Sequence, residues 1–114
     1  MIIHRNEMKV ELREKMMGGE GTVTLVHFVD GASMKNARLF SEATLPPGAS
    51  IGEHHHNSET EYYTILEGTG IVMDNGVKKS VKAGDVVVTG NGASHSIKNI
   101  GTAPLKLHAV IITH

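Results

Sequence analysis

Apolar and polar positions alternate with a period of two along most of this chain. Thr22–Val29 sets Thr22, Thr24 and Val26 against Val23 and Leu25 and is rich in β-branched residues, which predicts a strand. Ala37–Leu45 predicts another, closed by Pro46-Pro47-Gly48, which cannot continue a ladder. Glu61–Leu66, Gly70–Met73, Val77–Val81, Val86–Thr89, His95–Asn99 and Leu105–Thr113 follow the same pattern. Asn75-Gly76 is a strong hairpin signal, because a type I′ turn needs positive φ at both central residues. Ala83-Gly84-Asp85 and Gly90-Asn91-Gly92 mark further turns. Strands separated by turn signals roughly every 8–12 residues predict an all-β sandwich or barrel.

Residues 1–21 fit the pattern less well. Asn6 could cap a short helix with Met8, Leu12 and Met16 on one face, yet Met8, Val10 and Leu12 also alternate as a strand would. Gly18, Gly19 and Gly21 end whichever forms. The expectation is an N-terminal arm over 1–21 and a β domain over 22–114. A chain of 114 residues suits one domain. With 39% hydrophobic but only 4% aromatic residues, its core must be aliphatic.

A formal charge of −1, from 11 basic and 12 acidic residues, offers no one-signed field to recruit nucleic acid or an anionic membrane. The absence of cysteine excludes disulfides, zinc–thiolate sites and thiol nucleophiles. No stretch has signal-peptide character or approaches the ~18 apolar residues of a membrane span. A soluble cytoplasmic protein is expected.

The chemistry concentrates in GEHHHNSETEYY, residues 52–63. In extended chain His54 and His56 point one way and His55 the other. Asn57–Thr60 is expected to turn, so that Glu61 opens the next strand and swings back. Two imidazoles and a carboxylate suit a divalent first-row metal. A solvated polar turn rich in histidine fits the same stretch. His95 enters a later strand after a glycine turn. The Asn75-Gly76 hairpin lets the strands on either side of it lie together, which could bring His95 to the other three.

These residues resemble the cupin superfamily. Its first motif, G-x5-H-x-H-x4-E-x6-G, is matched by Gly48, His54, His56, Glu61 and Gly68. Its second, G-x5-P-x-G-x2-H-x3-N, is matched by Gly84, Gly92, His95 and Asn99, with Gly90 at the proline position. The resemblance implies a double-stranded β-helix, or jelly roll, holding one divalent transition metal (Mn, Fe, Ni, Co, Cu or Zn) on His54, His56, Glu61 and His95. Gly90 in place of proline is expected to loosen the turn before His95 while leaving the ligand set intact. The resemblance and the apolar arm together suggest a homodimer in which the arm adds a strand to a partner's sheet.

Other residues are read from their phase. Tyr63 and Ile65 share the face of Glu61 and should line the cavity, whereas Tyr62 and Glu53 should face out. Tyr63 and His108 are the candidate acid–base groups. A buried structural role is the simpler reading for His108, and strand filler for His27. His4 and His114 read as terminal surface residues, Lys78-Lys79 as solubilising, and Arg38 as a solvated strand residue or an anion contact. Met8, Met16, Met17 and Met34 suggest adaptable packing or an interface.

Fold alone does not fix function. The favoured expectation is a metalloenzyme of dioxygenase, decarboxylase or isomerase type, acting on a small oxygen-rich molecule such as a carboxylate. The alternative is a non-catalytic small-molecule or metal-binding module, a sensor or carrier. A purely structural barrel is disfavoured, because four buried polar groups left unpaired would be costly.

Overall fold

A computed structural model describes residues 1–114. Ten strands form two antiparallel sheets: β1 (Lys9–Glu14), β2 (Thr22–His27), β3 (Ala37–Leu45), β4 (Ser50–His55), β5 (Glu59–Glu67), β6 (Thr69–Asp74), β7 (Val77–Lys82), β8 (Val86–Gly90), β9 (Ser94–Asn99) and β10 (Leu105–Thr113). One sheet runs β1-β2-β3-β10-β5-β8 and faces the other, β4-β9-β6-β7. The only helical pieces are short 3-10 turns at Arg5–Glu7, Met16–Gly18 and Gly31–Ser33. No helix is long and apolar enough to cross a membrane.

The period-two pattern becomes the core. Val23 and Leu25 of β2, Ala43 and Leu45 of β3, Ile65 of β5, and Leu105 and Leu107 of β10 point inward from the larger sheet. Ile51, Val72 and Ile97 meet them from the smaller one. Each such aliphatic side chain contributes about 1.5–3 kcal/mol on burial. Tyr63 is the one aromatic in this cluster, as the composition requires. Asn75 and Gly76 take φ of 48° and 85° and join β6 to β7.

Three local expectations are corrected. The helix reading of Met8, Leu12 and Met16 gives way to strand β1, which pairs with β2 from Lys9↔His27 to Glu14↔Thr22. A full ladder outweighs a short helix whose nucleation is unfavourable. The apolar arm therefore adds its strand to its own chain's sheet. The turn after the histidines is also shorter than expected: Ser58 takes φ of 57°, and β5 starts at Glu59 rather than Glu61. Strand β4 was not foreseen as an element, because Ile51 is its only aliphatic residue.

Candidate metal centre

The site is assembled by pairing across both sheets. β4 and β9 run antiparallel with His54 and His95 as direct partners. A register shift between Ile51 and His54 re-aims the end of β4. His56 follows directly after β4, and Glu61 reaches in from β5 of the facing sheet. The ligand atoms of His54, His56, Glu61 and His95 all lie within 4.8 Å of one another. Nε2 of His95 is 3.0 Å from Nε2 of both His54 and His56. Glu61 Oε1 is 2.9 Å from His95 Nε2 and 3.0 Å from His56 Nε2.

The opposite ring nitrogens fix the orientation. His54 Nδ1 donates to the Gly52 carbonyl at 2.7 Å. His56 Nδ1 donates to Glu59 Oε2 at 2.5 Å. Both acceptors lack a proton, so each Nδ1 carries one and each Nε2 presents a lone pair. His95 Nδ1 bonds Thr89 Oγ1 at 2.9 Å. Glu59 is itself held by the Arg38 guanidinium, through two contacts of 2.7 Å. An Arg38–Glu59–His56 chain thus runs from the cavity mouth to the centre. Such partners orient metal-binding imidazoles and raise their basicity.

The electrostatics follow from this packing. The Arg38 guanidinium, then the His56 contact, hold the Glu59 carboxyl down to about 2. Burial pushes Glu61 up, but the surrounding imidazoles outweigh it and bring it to about 2. Burial pushes His95 down. Burial opposes charging of His54 as well, yet Glu61 and the Gly52 carbonyl outweigh it and raise its pKa. Tyr63 is buried beside Glu61 and raised well above the usual phenol range, so it keeps its proton. Its ring stacks on His95 with centroids 4.8 Å apart, and its hydroxyl lies 3.4 Å from His95 Nε2.

The residues fit a metal. Glu61 Oε1 is buried and accepts no hydrogen bond. A buried carboxylate oxygen in that state is costly. Around it the Nε2 atoms of His54, His56 and His95 converge on one point, as the ligands of a shared cation do. Three nitrogens and one oxygen are a donor set for a divalent first-row ion.

The centre opens into a cavity of about 360 Å³. Its wall is mostly aliphatic, from Leu25, Ile51, Leu107 and Ile111 among others. Met16 and Met17 roof it from the arm, and Arg13 and Arg38 supply positive charge. The close seat of the arm depends on glycine: a Cβ on Gly52 would overlap the Met17 carbonyl.

The structure brings together the four side chains that the motifs single out, and it turns His55 outward, with Nδ1 3.0 Å from the Gly92 carbonyl. Tyr63 lines the cavity, and Tyr62 faces outward. His108 does not join the site. In β10 the residues Leu107, Ala109 and Ile111 point inward, so His108 lies on the outer face, half-exposed, against Glu42 and Phe28. This corrects both its candidacy and its expected burial. Arg38 is more than a solvated strand residue, and His27 more than filler: it bonds Ser41 and Glu11. Glu59 and Thr89 were missed. Glu59 lay in the expected turn, and its position three residues after His56 was the available signal.

The chain belongs to the cupin family: the cupin-domain model matches residues 41–111. The chain is 45% identical over 113 residues to the oxalate-binding protein of Thermotoga maritima, spanning 98% of this chain and 93% of that one. A crystal structure from the same organism, described as a predicted oxalate decarboxylase, superposes with a TM-score of 0.93 at 43% identity and 100% coverage of both chains. The polyketide cyclase RemF of Streptomyces resistomycificus shares the fold at a TM-score of 0.75, with 19% identity over 99% of this chain and 78% of its own.

Proposed function

We propose that this protein is a metal-dependent cupin that captures a small carboxylate, with oxalate the best candidate. The observation that carries the reading is the buried, unpartnered Glu61 Oε1 among three convergent imidazoles. His54, His56, Glu61 and His95 would hold the ion. When bound, it would act as a Lewis acid that holds a carboxylate. The chain's own residues supply the rest. Arg13 and Arg38 attract an anion to the mouth, the aliphatic wall excludes water, and protonated Tyr63 offers a donor beside His95. The oxalate-binding relative supports this ligand class. Calorimetric titration with oxalate tests it: binding should require loaded metal and should vanish in His95→Ala.

Turnover is the second reading. Besides the four candidate ligands, the titratable groups at the cavity are Arg13, Arg38 and Tyr63, with outward-turned His55 at its rim, and none is a free carboxylic acid. This favours binding. Tyr63, as a buried proton donor, and the relative described as a predicted oxalate decarboxylase favour catalysis. Conversion of oxalate and one proton to formate and carbon dioxide, lost in Tyr63→Phe, would establish it.

The outer face of the larger sheet supports a homodimer. Phe40, Val110, Tyr62 and Val88 are successive cross-strand partners on β3, β10, β5 and β8. Phe40, Tyr62 and Val88 are 40%, 38% and 56% exposed. This row is roughly 14 Å wide. The adjacent Glu42 is paired with Arg5 at 2.8 Å, so it does not stand as a lone carboxylate beside this row. Light scattering should give a dimer, and Tyr62→Glu a monomer.

A further inference from the structure

A second hydrogen-bonded chain, distinct from Arg38–Glu59–His56, reaches the cavity wall. Ser41 of β3 is fully buried and forms part of the wall of the metal cavity. Its Oγ lies 2.7 Å from His27 Nδ1, and His27 Nε2 lies 2.8 Å from Glu11 Oε1. The other Glu11 oxygen takes Arg13 at 3.0 Å. Glu11 and His27 in turn line a separate surface cavity of about 600 Å³. Ser41, His27 and Glu11 therefore link the metal cavity to the surface cavity beside it.

The protons in this chain are fixed by their acceptors. His27, then Arg13, hold the Glu11 carboxyl below its usual range, so it is an acceptor only. Neutral His27 must then carry its proton on Nε2, leaving Nδ1 to accept. Ser41 has one hydrogen, which it spends on Nδ1, and the cavity meets only its lone pairs. When His27 is an imidazolium, both ring nitrogens donate. Nδ1–H then donates to Ser41 Oγ, and the hydroxyl hydrogen is released toward the cavity. The other charged groups facing His27 are Glu7, Lys9, Asp30 and Arg38 around the surface cavity. Ser41 sits mid-strand and buried, which does not suit a nucleophile.

We propose that Ser41 is an anion-contacting residue whose donor character is set by protonation of His27, so that binding of a carboxylate in the cavity is coupled to uptake of a proton through Glu11 and His27. The proposal rests on the carboxylate reading above and adds to it a binding residue and a source of pH dependence. None of the three residues belongs to the candidate metal ligands. Anion affinity is highest where His27 carries both protons and declines with rising pH as one is lost, toward the limit of about tenfold per pH unit for one linked proton.

The test is calorimetric titration of zinc-loaded protein with oxalate, in buffers of different ionisation enthalpy between pH 5.5 and pH 8, with nitrogen NMR of His27. Wild-type protein should take up a proton on binding. Neutral His27 should be the Nε2–H tautomer, and its pKa should rise when oxalate is added. Ser41→Ala should weaken binding about tenfold at the acidic end, as expected for loss of a hydrogen bond to a charged group. It should also remove most of the uptake. Glu11→Gln, at the exposed end of the chain, should reduce uptake while leaving Ser41 in the cavity wall; because it also loosens Arg13, the readout is the proton uptake and not the affinity. If wild-type protein binds oxalate but Ser41→Ala and Glu11→Gln keep the same uptake and pH slope, this proposal falls alone. An Nδ1–H tautomer of neutral His27 also overturns it. If wild-type protein binds no oxalate at any pH, the carboxylate reading falls and this one with it.

Discussion

His54 and His95 are direct cross-strand partners on β4 and β9, and their Nε2 atoms stand 3.0 Å apart. Backbone pairing sets the two imidazoles side by side, so a cation can bridge them without rearranging either strand. Metal binding should raise thermal stability, by about 2.7 kcal/mol at a hundredfold excess over Kd. For a domain of this size that is about 10 °C in Tm. Differential scanning fluorimetry with and without metal should show the shift. His54→Ala, His56→Ala and His95→Ala should abolish it. His55→Ala, which alters only an exposed contact with the Gly92 carbonyl, should keep it.

Glu59 should tune that affinity without touching the ion. Its carboxylate holds His56 Nδ1–H and is held by Arg38. Glu59→Gln should weaken metal binding about 10–100-fold, measured by competition with a chelator. The same group gives metal-free protein an acid dependence. Its pKa is depressed to about 2 in the folded state, from an ordinary value of 4.5. A depressed carboxylate contributes stability that is complete above about 4.5 and lost as pH falls toward about 2. Stability should fall across that window in the metal-free wild type, and less steeply in Glu59→Gln.

The motif spacing made the four candidate ligands legible because alternation and turn signals are local. Ala37–Leu45 and Leu105–Thr113 read correctly for the same reason: both are long, apolar on one face and bounded by clear turns. What escaped depends on register between distant strands. Glu11, His27 and Ser41 come from β1, β2 and β3, and only the ladders joining those strands set them in line. His108 misled because alternation gives two faces without saying which is inside. β1 misled because a short apolar arm satisfies both periods until its partner is known.

Gly90 occupies the motif's proline position, and the structure supplies a reason that unfolded-state entropy does not. Gly90 and Thr60 are cross-strand partners on β8 and β5. A Cβ on Gly90 would overlap Thr60 Oγ1 and lie 3.1 Å from the Glu59 carbonyl oxygen. Thr60 Oγ1 is fixed in turn by His114 Nε2 at 2.8 Å. Glycine is thus the residue that fits Thr60, and proline would not tighten this turn. Gly90→Ala should destabilise by about 1–3 kcal/mol through overpacking. Thr60→Ala should recover part of that loss in the double variant, because it removes the nearest obstacle and leaves the carbonyl. A double-mutant cycle of chemical denaturation midpoints measures the coupling.

Gly52 joins the arm to the metal centre. Its carbonyl orients His54 through Nδ1, and its missing side chain admits the Met17 carbonyl. The same seat is shaped from the arm, where Met17 takes φ of 53° and a Cβ on Gly19 would overlap the Ser50 carbonyl. Gly52→Ala must displace backbone rather than a flexible side chain. It should lift Met16–Gly18 off β4, open the cavity roof and release His54 from its preferred angle. The expected result is weaker metal binding together with faster hydrogen exchange in residues 15–21. A purely local packing defect would instead lower Tm while leaving metal affinity and exchange in the arm unchanged. Deleting the arm should reproduce the open roof but spare the Gly52–His54 hydrogen bond, so metal loss should be smaller than in Gly52→Ala.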